Sequence, residues 1–233
     1  MKTIFITLFL TVLYFTSFST NKLVANVKVE KMVNGKLIVL KSMIFIDFDK
    51  NKFITEYSEP QQSIVFANNK GEAKMYFPKT KKVVSQQNNM LSSSADVIYF
   101  LLTTKEYDLG LKSEGCKLLE TKYEEGVTVT LWEPPAHKKK LIKQIKLVYK
   151  NETPIYTEYI NHKNKKIKET YYYNYQIINN YPVPTKITEY VYLKKGQKIV
   201  SRKTYSDIKT GLNAEHNMFN FEIPESTNSS KKK

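Results

Sequence analysis

The chain has 233 residues, 37 Lys and Arg against 22 Asp and Glu, one Cys and 41% hydrophobic residues, the size and apolar content of one ordinary domain. With 25% charged and 13% aromatic residues it is neither a disordered chain nor a disulfide-stapled mini-protein. The net charge of +15 raises nucleic acid as a ligand, but Arg202 is the only arginine; without the guanidinium fork that reads phosphates and base edges, no nucleic-acid partner is expected.

Met1-Lys2-Thr3 and the apolar run Ile4 to Phe15 have the proportions of a secretory signal peptide and are too short to span a bilayer comfortably. Residues 1–19 are read as that leader, with Ser17-Phe18-Ser19 before the cut and Leu23-Val24-Ala25 as a later alternative. The expected product is soluble and periplasmic, with no stable transmembrane segment after cleavage. Cys116 has no second Cys to pair with and no His/Asn pattern around it, so it reads as a buried structural thiol.

From residue 20 to 225 the dominant signal is period-two alternation cut by turns, the mark of an antiparallel all-β domain. Asn34-Gly35 between Val27–Glu30 and Lys36–Leu40 is a hairpin signal. Strands are predicted over Ser42–Phe48, Lys52–Ser58, Ser63–Phe66 and Lys74–Phe77, separated by turn-forming residues. Ser92-Ser93-Ser94-Ala95-Asp96 before Val97–Leu102 has Ser caps, an acidic first turn and an apolar stripe, predicting a short helix that covers a sheet face. Strands resume at Lys117–Tyr123, Val127–Trp132, Leu141–Tyr149, Ile155–Ile160, Ile167–Ile177, Thr185–Leu193 and Ile199–Tyr205, with Pro182 and Pro184 at a strand entrance. A helical turn around Asn213–His216, a last strand Phe219–Ile223 and a disordered basic tail over 226–233 complete the reading.

Chemistry has little foothold. His137, His162 and His216 stand apart, and no metal-ligand spacing, P-loop, GxGxxG or GxSxG is present. No cofactor, metal or catalytic residue is expected. The lysine runs 137–140 and 163–166 fall in loops and read as solvated charge, with a basic rim for anionic head groups or an acidic partner left open. Aromatic alternation is what stands out: Phe53, Thr55 and Tyr57 share one face, Ile64 and Phe66 another, and Tyr171, Tyr173 and Tyr175 a third. These residues either pack on one another or line a cavity under a cover.

The ordered series Phe53–Pro60, Ile64–Gly71 and Met75-Tyr76-Phe77-Pro78, then Val129–Pro135, then Tyr181-Pro182-Val183-Pro184 through Gly196 to Phe219–Pro224 resembles the LolA-like periplasmic lipoprotein carriers over nearly the whole mature chain. The resemblance implies a curved antiparallel sheet, an incomplete β-barrel, covered by short α-helices and accepting acyl chains. It implies a carrier of lipoprotein acyl chains towards the outer membrane, loaded by an inner-membrane lipoprotein-releasing transporter, and not an enzyme. A lipid- or lipoprotein-sensing interaction module of the same fold is the alternative. Phe53, Tyr57, Phe66, Tyr76 and Trp132 are the acyl-lining candidates, with Ile98, Leu101 and Leu102 on the lid helix. The family's lid-latching base falls in Asp49–Lys52, so Lys50 or Lys52 stands where the family has Arg.

Overall fold

The turn-forming residues divide the chain into thirteen strands of one open antiparallel sheet. The strands are β1 (Lys22–Val33), β2 (Lys36–Asp47), β3 (Lys52–Glu59), β4 (Ser63–Ala67), β5 (Glu72–Phe77), β6 (Lys82–Gln87), β7 (Lys117–Glu124), β8 (Val127–Glu133), β9 (Gln144–Lys150), β10 (Thr153–Ile160), β11 (Lys166–Ile178), β12 (Tyr181–Tyr192) and β13 (Lys198–Thr210). This computed structural model describes residues 21–33, 35–87, 93–193 and 196–224. The expected leader over 1–19, Asn34, Ser92 and the tail over 226–233 lie outside the described residues.

The strand order is β6-β5-β4-β3-β2-β1-β13-β12-β11-β10-β9-β8-β7. Two meanders, β1 to β6 and β7 to β13, therefore meet at the β1·β13 pair. The helix α1 (Val97–Thr104) lies in the connection between them, so the crossover places it over the centre of the sheet. Two-residue turns need φ > 0, and Glu125 at φ 47 with Gly126 at φ 79 supply it between β7 and β8.

The core has three clusters. On the inner face, α1 packs Ile98, Tyr99 and Leu101 against Leu23, Ala25, Ile44, Ile46, Phe53 and Tyr205. On the outer face, Phe219 covers Val24, Phe45, Ile54 and Ile64. Towards β7 and β8, Leu111 and Cys116 pack on Trp132, Ile145 and Leu147.

Several local expectations are corrected. Ser42–Phe48 is the second half of the continuous strand β2, whose pairing with β3 shifts register between Lys41 and Ser42. Lys82–Gln87 forms β6 although only Val83 and Val84 are apolar, because β5 offers it a free edge. Residues 141–143 precede β9 as a turn, and Pro184 sits inside β12 opposite Tyr175. The helical turn near 213–216 is a 3-10 turn over Gly211–Ala214. Phe219–Ile223 is not a strand: Asn217–Asn220 is a second 3-10 turn. Its place over the outer face of β2, away from both sheet edges, leaves it no ladder to join, and its aromatic side chains serve as cover instead.

Candidate functional site

An eight-residue helix is marginal by itself, and α1 depends on its caps and its apolar contacts. Asp96 is the N-cap, accepting from Ile98 N at 3.1 Å and Tyr99 N at 3.3 Å. At the other end, Thr103 and Thr104 hydroxyls donate to the Tyr99 and Phe100 carbonyls at 2.7 and 2.9 Å, competing with helix continuation. Lys105 then turns left-handed at φ 57 and its N–H closes on the Leu101 carbonyl.

The carboxylate that caps α1 also ties it to the sheet. Asp96 is 7% exposed and accepts from Lys203 Nζ at 2.5 Å and from the Tyr205 hydroxyl at 2.8 Å, both on β13. Burial pushes the Tyr205 hydroxyl well above its ordinary pKa, and the Asp96 carboxylate adds to the shift. Burial raises the Tyr57 hydroxyl too, with Asp96 as the second cause.

Two cavities adjoin along Val29, Ala95 and Lys203 beneath this latch. One, about 320 Å³, is walled by Val97, Phe100 and Leu109 from the cover and by Tyr172 and Ile187 from the sheet. The other, about 140 Å³, reaches Leu40, Ile44, Phe53, Tyr57 and Val65. Two ion pairs sit on their walls, Lys203–Asp96 and Lys168–Glu189, each at 2.5 Å. The walls are mixed, Val29, Phe100, Leu109 and Ile187 alternating with Thr170, Ser201 and the two paired charges, and the larger volume is at the low end of small-molecule pockets, about 300–1,000 Å³. A groove of about 730 Å³ at the β3–β6 end is open to solvent and is lined by Lys50, Lys52, Phe53 and Phe66, its wall ending at Gln87.

The structure divides the sequence candidates between faces. Phe53 and Tyr57 share the inner face with α1, and Phe53 meets Tyr99 edge-on at 5.5 Å. Ile98 and Leu101 are fully buried there, and Leu102 is partly buried against the same cluster. Phe66 and Tyr76 lie on the outer face, each about 6.1 Å from Phe221. Trp132 is buried in the third cluster, donating to Thr130 Oγ1 at 2.9 Å. Lys50 is an exposed base 4.0 Å from Asp47. Lys52 donates to the Phe219 carbonyl at 2.7 Å and stands over the Phe66 ring, so it fastens the C-terminal turn on the outer face.

The residues that hold α1, Asp96, Lys203 and Tyr205, were legible only in part. Asp96 carries a first-turn acidic signal, whereas Lys203 and Tyr205 follow it by 107 and 109 residues in the chain and look like any alternating strand pair.

No family model matches the sequence, and no curated protein matches it. Among solved structures, the chain superimposes on a LolA superfamily protein from Nitrosomonas europaea with a TM-score of 0.55 at 17% identity, covering 83% of this chain and 87% of that one. A DUF1329 family protein from Desulfovibrio piger gives 0.55 at 10%, covering 87% and 90%. A domain named for outer membrane lipoprotein sorting, from Vibrio parahaemolyticus, gives 0.55 at 14%, covering 87% and 91%. The fold is LolA-like: a curved, open antiparallel sheet with a short helix on its inner face.

Proposed function

We propose that this protein is a non-enzymatic carrier that shields the acyl chains of a lipoprotein in the inner-face cavity, working in the periplasm between an inner-membrane transporter and the outer membrane. The observation that carries the reading is the pair of adjoining cavities, about 320 and 140 Å³, with walls of mixed apolar and polar side chains, the larger one roofed by α1 and both bordered by the polar latch that holds the helix down. The LolA-like fold supports it.

Each buried methylene is worth about 0.8 kcal/mol, so a bare apolar trough would hold acyl chains too tightly to release them. A carrier therefore has to set an opposing cost against loading. Here that cost is the displacement of α1, which takes Ile98 and Leu101 off the sheet and separates Asp96 from Lys203 and Tyr205. Loading exchanges those contacts for acyl contacts of similar kind, and unloading restores them.

The test is binding of a triacylated lipopeptide to Leu101→Asp and to Phe100→Asp. Leu101 is 1% exposed, and a carboxylate there replaces an apolar side chain that meets the acyl chains once α1 lifts; Phe100 is only partly buried and lines the larger cavity. Both variants should keep the β circular-dichroism signal and lose lipopeptide binding. Parent-like binding by a folded Phe100→Asp would remove the cavity from the function.

A further inference from the structure

Among the described residues, the outer face is covered only at one end. Phe219 and Phe221 shield the β1–β5 end, whereas the other end carries an uncovered apolar stripe that runs strand to strand. Leu37 pairs with Met32, Met32 with Val200, and Val200 with Tyr190. Tyr190 then meets Tyr171 at 6.0 Å, and Tyr171 meets Tyr156 at 4.9 Å. Leu37 is 56% exposed, Met32 41% and Tyr171 40%.

The stripe ends in a prong. Pairing of β2 with β3 starts only at Lys41, so Lys36–Leu40 project past β3 by about 3.4 Å per residue. Ile38 on the prong's inner face is 45% exposed, so the tip is apolar on both sides. Lys186 and Lys198 flank the stripe on its own face with no ion pair among the described residues, Lys198 standing over the Tyr190 ring at 5.2 Å, and Arg202 faces Glu30 across the β1·β13 pair. The carboxylates nearby are already neutralised, Glu30 by Lys28 and Glu158 and Glu169 by Lys166.

We infer that the β1–β2 prong and the tyrosine stripe behind it form a docking surface for an anionic phospholipid bilayer. A protein partner covers one side of a prong; a fluid apolar medium covers both, and an exposed apolar tip with tyrosines and unpaired cations behind it matches the order of acyl core, interface and head groups. The larger cavity reaches Val29 and Ser201, and Ser201 pairs with Lys31, itself opposite Ile38, so the prong continues the cavity's wall. The inference does not depend on the carrier reading.

The experiment is co-sedimentation of the ligand-free mature chain with vesicles of equal parts phosphatidylcholine and phosphatidylglycerol, against phosphatidylcholine alone. Binding is expected to the anionic vesicles, weakening as salt rises. Met32→Asp/Leu37→Asp should weaken it at least about tenfold while lipopeptide binding is unchanged. Leu212→Asp, at an apolar residue more exposed than either but at the opposite end of β1 from Met32, should behave as the parent. Amide exchange of the parent should slow at residues 35–40 when anionic vesicles are added, which needs no variant. Three results overturn the proposal: no sedimentation at low salt, equal loss in Leu212→Asp, or unchanged exchange at the prong. The first, with a dimer that the double aspartate variant lacks, assigns the stripe to a second copy.

Discussion

Replacing Asp96 with Ala tests the latch because one carboxylate serves four donors, two helix amides and two side chains of β13. Loss of the N-cap costs about 1 kcal/mol. The Tyr205 hydroxyl, in a side chain 3% exposed, loses its Asp96 acceptor, at about 1–3 kcal/mol. The Lys203 pair adds less than a fully buried pair would, since the Lys203 side chain is 27% exposed. Together the loss is about 2–5 kcal/mol, which for a domain of this size lowers the melting temperature by on the order of 10 °C. Thermal and urea unfolding followed by circular dichroism measure it. The amides of Ile98 and Tyr99, which donate to Asp96, should exchange faster in the variant. A loss below about 1 kcal/mol, with both amides still protected, would refute the claim that Asp96 holds α1 to the sheet.

Other consequences are as direct. Burial opposes the charge on Glu169, but hydrogen bonds from Tyr192, Lys166 and Tyr156 overcome it and hold the carboxyl below its ordinary value of 4.5. A carboxyl depressed in the folded state stabilises it above the unfolded pKa and loses that contribution as pH falls through the folded one. Urea titrations at about pH 7 and about pH 3 should therefore show a smaller stability difference for Glu169→Gln than for the parent. Burial raises the Cys116 thiol, with Glu114 adding to it, so Ellman's reagent at mildly alkaline pH should label it slowly until denaturant is added. Leu23, Val24 and Ala25 are at most 7% exposed inside β1, and a chain starting at Asn26 should be several kcal/mol less stable than one starting at Thr20. Mass spectrometry of the protein expressed with residues 1–19 in a Gram-negative host tests the proposed leader, and an N-terminus before Lys22 is expected.

The element pattern was legible because the strands alternate and their breaks are chemically specific. Gly126, with the turn beside it, and Asp96 before Val97 state their roles locally. What escaped was set by distant neighbours. Phe66 and Tyr76 alternate like Phe53 and Tyr57, yet parity alone does not say which face curves inward, and they pack under Phe221. Phe219 and Phe221 alternate like a strand but lie where no edge is free. β6 forms from a polar segment because β5 was waiting for a partner. Lys52 holds the C-terminal turn, while α1 is held by Lys203, a pairing that only the β1·β13 closure brings about.

The central claim is that the cavity under α1 takes acyl chains. Native mass spectrometry of the chain starting at Thr20, purified without detergent and incubated with a triacylated lipopeptide, tests it most directly. A complex carrying one lipopeptide is expected in the parent and absent in Phe100→Asp. A persistent apo mass in the parent, or the same complex in the variant, would contradict it.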